Sequence, residues 1–131
     1  MPLKNVILVA ILIAALSACA PPAPQETGTL EGHVTIGPLS PVVQAGASEP
    51  TPAPEVYAAR QIVILSEDGE NELVRVQIGA DGIYRIELAP GAYQVDIART
   101  GIDFSKDLPA RVEIRPDETT RLDVDIDTGI R

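Results

Sequence analysis

The chain of 131 residues has one cysteine, no tryptophan, one phenylalanine and three tyrosines. A single thiol excludes an internal disulfide. The scarcity of aromatics leaves the core to Val, Ile, Leu and Ala. Basic residues are also few: 10 Lys plus Arg stand against 19 Asp plus Glu, a formal net charge of −9. Binding nucleic acid needs a basic face that releases counterions, and no basic cluster exists, so DNA and RNA are excluded as partners. The same acidity repels anionic headgroups, so any membrane attachment has to come from elsewhere. His33 is the only histidine. It has no cysteine or ligand-spaced partner, so we expect no metal site and read it as a solvated residue of the first strand. Ser40, Ser48, Ser66 and Ser105 have no motif around them that would activate a nucleophile. No acid, base and nucleophile can be assembled, so a non-enzyme without a cofactor is expected.

What is present begins at the N-terminus. Lys4 precedes an unbroken apolar run of eleven residues, Val6 to Leu16. A membrane-crossing helix needs roughly 20 apolar residues, so this run suits the core of a signal peptide instead. Leu16-Ser17-Ala18-Cys19 follows directly and resembles the lipobox of bacterial lipoprotein precursors. That resemblance implies removal of residues 1–18 and acylation of Cys19, which would then head the mature chain. Two acyl chains suffice for stable anchoring where one does not. An ordinary secretory signal with an incidental Cys19, or an uncleaved single-span anchor, is the alternative. Residues 19–27 carry three prolines and no apolar period. They read as a tether, in which the eight residues after Cys19 extend roughly 25 Å at ~3.1 Å per residue. Ala20 is not the aspartate associated with inner-membrane retention, so the resemblance points to the outer membrane where a cell has one. The partner expected first is thus membrane lipid, through Cys19.

From Gly28 the apolar period becomes two, the spacing of strands with one buried face. The strands read from it cover 29–36, 61–66, 72–78, 83–88, 93–97, 112–114 and 122–126. The continuous Ile62-Val63-Ile64-Leu65 suits a central strand. Turns fall at Glu67-Asp68-Gly69, Ala80-Asp81-Gly82, Ala89-Pro90-Gly91 and Pro116-Asp117-Glu118. No segment has a helical period. The expectation is a single all-β domain at 28–131, an antiparallel seven-stranded β-sandwich with polar outer faces.

Residues 81–95, Asp-Gly-Ile-Tyr-Arg-Ile-Glu-Leu-Ala-Pro-Gly-Ala-Tyr-Gln-Val, resemble the central motif of carboxypeptidase regulatory-like domains. Gly28 to Val34 is similar to the first strand of those domains, and Pro116 to Thr120 to the turn before their last. The resemblance implies a prealbumin-like, Ig-like sandwich with Tyr84 and Tyr93 on adjacent strands over its open end. It implies nothing definite about function, because a fold does not carry one.

Four sharper readings fail on their own chemistry. Asp127-Thr128-Gly129 matches the tripeptide of aspartic proteases, but that chemistry needs two facing carboxylates held by a long β-scaffold. Asp123, Asp125 and Asp127 start like a calcium loop, yet the glycine and distal glutamate of such a loop are missing. Their spacing of two places them on one solvent face, where like charges protect an edge. The histidine-bearing motifs of transthyretin-like hydrolases are absent. The intramolecular Lys–Asn bond of some related surface domains would have only Lys106 and Asn71 to use in the expected mature chain.

The segment 37–60 fits none of these elements. It holds five prolines and no apolar period, and unstructured loops of such length are uncommon in compact domains unless functional or disordered. It is expected to be a solvated insertion, or else a docking loop in which Leu39, Val42, Val43 and Tyr57 contact another envelope protein. The functional expectation is a membrane-anchored lipoprotein presenting a non-catalytic sandwich as an envelope interaction or structural accessory module. The alternative is an extracytoplasmic lipoprotein that binds a small ligand or carbohydrate, with Tyr57 as the only obvious stacking platform.

Overall fold

The computed structural model describes residues 21–42 and 44–130. The expected signal peptide, Cys19 and Val43 lie outside the described residues. Among those described, no helix is long and apolar enough to cross a membrane.

Residues 21–27 form no regular element, are exposed, and lead into the first strand. Two four-stranded sheets face each other. One contains β1 (Gly28–Gly37), β4 (Ile83–Leu88), β7 (Thr119–Arg121) and β8 (Val124–Asp127), with β1 in the middle. The other runs β3 (Glu72–Gln77), β2 (Gln61–Leu65), β5 (Gly91–Ile97), β6 (Ala110–Ile114). Period-two alternation turns Leu30, Val34 and Ile36 of β1 inward against Ile62, Ile64, Val95 and Ile114 of the opposite sheet. β2 does occupy a central position, and its outward Val63 is buried as well as Ile62 and Ile64.

Three expectations are corrected. The strands number eight, because β7 forms at Thr119–Arg121, ahead of the final strand expected at 122–126, of which β8 covers only the later part. β7 and β8 keep a common register along β1, Thr29 opposite Thr119 and Val34 opposite Val124. Between them the Leu122 carbonyl accepts a hydrogen bond from the Tyr84 hydroxyl. The His33 amide donates to the Asp123 carboxylate at 2.8 Å. Side chains thus take the places of ladder partners, and the strand is interrupted for two residues. A Cβ on Gly32 would lie 1.8 Å from the Leu122 oxygen, so this close approach needs glycine. Secondly, the sandwich is not wholly antiparallel: β7 and β8 both run parallel to β1. Thirdly, the segment 37–60 contains a helix, α1 (Pro54–Ala58), with proline at its first turn. Tyr84 and Tyr93 also sit in different sheets, their hydroxyls donating to the carbonyls of Leu122 and Ala89.

The registers sort the connections to two poles. Thr27 accepts from the Asp117 amide, Gly28 lies opposite Leu88 and Gly91 opposite Ile114. The N-terminal segment therefore shares one pole with the turns after β2, β4 and β6. The other pole gathers segment 38–60, the turn 79–82, the loop 98–109 and residues 127–130. There Val34 donates to the Gly82 carbonyl, Phe104 bridges Asp127 and Thr128 donates to Gly37.

Candidate functional site

The pole opposite the N-terminal segment is built by long-range pairing. Arg60, just after α1, donates from Nε to an Asp103 carboxylate oxygen at 2.7 Å and from a terminal nitrogen to the Val56 carbonyl at 2.9 Å. It thereby fastens the helix to the loop 98–109. Both members of this ion pair are largely buried. The C-terminal Thr128 hydroxyl donates to the Pro38 carbonyl, tying the chain end to the start of the long segment.

A cavity of about 320 Å³ opens at this pole. One wall is β1, through His33, Thr35 and Ile36; a second is the turn bearing Ala80 and Asp81; residues 49–52 cross over the third side. Tyr57 closes the space from α1. Its ring and the His33 Nε2 converge on Gly82, where an added Cβ would lie 3.0 Å from the Tyr57 hydroxyl and 3.1 Å from Nε2. Gly82 also has φ +81°, which favours glycine. The carboxylates hold the surrounding backbone: Asp81 accepts from the Ile83 amide at 3.0 Å, and Glu49 from the Leu39 amide at 3.2 Å.

The expected docking residues do not form one surface. Leu39 is half-buried against the core, Val42 is 75% exposed, and Val43 lies outside the described residues. Tyr57 is only 4% exposed, which corrects its reading as an open stacking platform; α1 turns its ring inward. The exposed apolar side chains at this pole include Val42, Ile102, Phe104 and Ile130. Ile102 and Phe104 carry no sequence signal, since an apolar residue between turns reads equally well as buried. His33 is exposed, as read from the sequence. Glu49 and Asp81 carry no sequence signal of a site, because Glu49 is an isolated acid in the long segment and Asp81 reads as a turn residue.

The row of acids on the last strand is broken up by local bonding. The Asp123 carboxyl is held below the usual carboxylate range, first by the His33 amide and then by Arg121. The Asp127 carboxylate accepts from the Gly129 amide at 2.7 Å. Among the described residues no group of three or more His, Cys, Asp or Glu is disposed to hold a metal.

No family model matches the sequence, and no curated protein sequence matches it. Solved structures do resemble it. GBS52, the minor pilin of the gram-positive pathogen Streptococcus agalactiae, superposes with a TM-score of 0.54 at 14% identity, over 79% of this chain and 45% of the pilin. A DUF3823 family protein from Parabacteroides merdae gives 0.48 at 18% identity, over 78% of this chain and 46% of that protein. Another from Bacteroides ovatus gives 0.46 at 15%, over 75% and 44%. The chain thus spans less than half the length of each, and the pilin likeness establishes that it shares a β-sandwich fold.

Proposed function

We propose that this chain is a membrane-anchored lipoprotein whose non-catalytic sandwich is an interaction or structural accessory module of the cell envelope. The observation that carries the reading is the polar arrangement of the domain. The Pro-rich segment enters at one end, while α1, the long segment and the exposed Val42, Ile102 and Phe104 lie at the other. A chain tethered through an acylated Cys19 would hold that second end away from the bilayer, where an envelope protein can reach it. The lipobox-like residues 16–19 and the tether 19–27 support the anchor. The carboxypeptidase regulatory-like motif in residues 81–95 supports a prealbumin-like domain, and the fold shared with a pilin agrees with a place outside the cytoplasm.

A second reading, an extracytoplasmic lipoprotein binding a small ligand or carbohydrate, is favoured by the cavity beside Tyr57. Sugar recognition is the weaker form of it, because the buried Tyr57 offers no open face for ring stacking. The anchor is tested by growing cells with a tagged palmitate analogue. Label should enter the wild-type chain and be lost in Cys19→Ser, which should also leave the membrane fraction. Equal labelling of both would overturn the proposal.

A further inference from the structure

We propose that the cavity enclosed by β1, the turn 79–82 and residues 49–52 is a binding site for a small organic ligand that carries a protonated amine. The inference goes beyond the envelope role and does not depend on the lipid anchor.

Its volume of about 320 Å³ stands at the lower end of the roughly 300–1,000 Å³ typical of small-molecule sites. The lining has one sign of charge: it includes the carboxylates of Glu49 and Asp81 and no Lys or Arg. Each carboxylate is positioned by one oxygen, Glu49 Oε1 on the Leu39 amide and Asp81 Oδ1 on the Ile83 amide, so its second oxygen is available to a ligand donor. Both side chains are exposed at the mouth of the cavity, where two like charges attract a cation and can accept charge-assisted hydrogen bonds from it. An anion would meet two like charges, and a neutral polyol would gain nothing from them.

The remaining surface suits the body of such a ligand. Ile36, Pro50 and Pro52 offer apolar contact to a short alkyl chain, and Thr35 and Tyr57 bring hydroxyls. The frame is preorganised, which reduces the ordering cost of binding. Gly82 donates to the Gly79 carbonyl at 2.9 Å and accepts from Val34 at 2.7 Å, fixing the Asp81 turn to β1. Prolines 50 and 52 restrict the backbone that crosses above.

His33 lines the cavity and is the only histidine, so its imidazole C2–H resonance is a single built-in reporter. The full chain in detergent is titrated with Nα-acetyl-lysine methylamide, with the norleucine analogue that lacks the amine, and with glucose. The lysine derivative should shift the His33 resonance saturably, and the other two should not. Glu49→Gln and Asp81→Asn keep an oxygen acceptor for the Leu39 and Ile83 amides but remove the charge. Each should weaken binding roughly threefold, the scale of an exposed ion pair, with an unchanged melting temperature. Equal response to the norleucine analogue, saturation by glucose alone, unchanged affinity in both variants, or no response to any probe would overturn the proposal.

Discussion

Tyr84 is a side chain on which both the core and the sheet edge depend. Its ring is fully buried, and its hydroxyl donates to the Leu122 carbonyl at the gap between β7 and β8. Burial pushes its phenol above the usual tyrosine range, and the nearby charge of Asp123 adds to the effect. A group whose folded-state pKa is raised contributes stability that is present below the unfolded value and lost as pH rises beyond it. That loss should therefore begin above about pH 10, where tyrosine ionises in the unfolded chain. Tyr84→Phe removes the hydroxyl and leaves the carbonyl without that donor, at a cost of about 1–2 kcal/mol. Urea unfolding at pH 7 measures the cost. Repeating it between pH 9 and about pH 11 should show a shallower alkaline loss in the variant. Parallel alkaline profiles would count against the assignment.

At the scale of elements, Arg60 joins α1 to the loop 98–109, and the pair it forms with Asp103 is far more enclosed than the exposed Arg75–Glu72 pair. Removing one member of an enclosed pair leaves a charge uncompensated, which costs about 3 kcal/mol, against ~0.5 kcal/mol for an exposed pair. Arg60→Met should accordingly lower stability well beyond Arg75→Met. Hydrogen exchange should show the loss of amide protection concentrated in residues 99–105; a uniform loss across the sandwich would contradict the clamp. None of this was legible in the sequence. The strands were, because inward Leu30, Val34, Ile62, Ile64 and Val95 impose period two on any half-buried strand whatever its partner. Alternation does not encode direction, so the parallel pairing of β7 and β8 with β1 left no trace in it. α1 is a single turn of five residues, too short to show a helical period. The cavity was hidden for another reason. His33, Glu49, Tyr57 and Asp81 come from a strand, a loop, a helix and a turn, and only the fold of the whole chain brings them together.

At the scale of the whole molecule, the proposed tether and the fold would together determine orientation. β1 has ten residues, which at ~3.3 Å each separate the two poles by roughly 30 Å. As a tether, the proline-rich segment would add up to ~25 Å of stand-off. A lipid on Cys19 would thus put the turn 66–71 near the bilayer and segment 38–53 distant from it. Acylation would consume the only native thiol, so an introduced cysteine offers a unique site for a fluorophore. Glu70→Cys marks the near pole and Ala45→Cys the far one, both at exposed positions. With the lipidated chain in vesicles that contain an acceptor-labelled lipid, energy transfer from position 70 should clearly exceed that from position 45. Cys19→Ser should abolish transfer from both, since the acidic surface has no attraction of its own for anionic lipid. Transfer that is equal at the two positions, or stronger from 45, would mean that the sandwich lies flat or inverted, and the distal pole could not be the end presented to a partner.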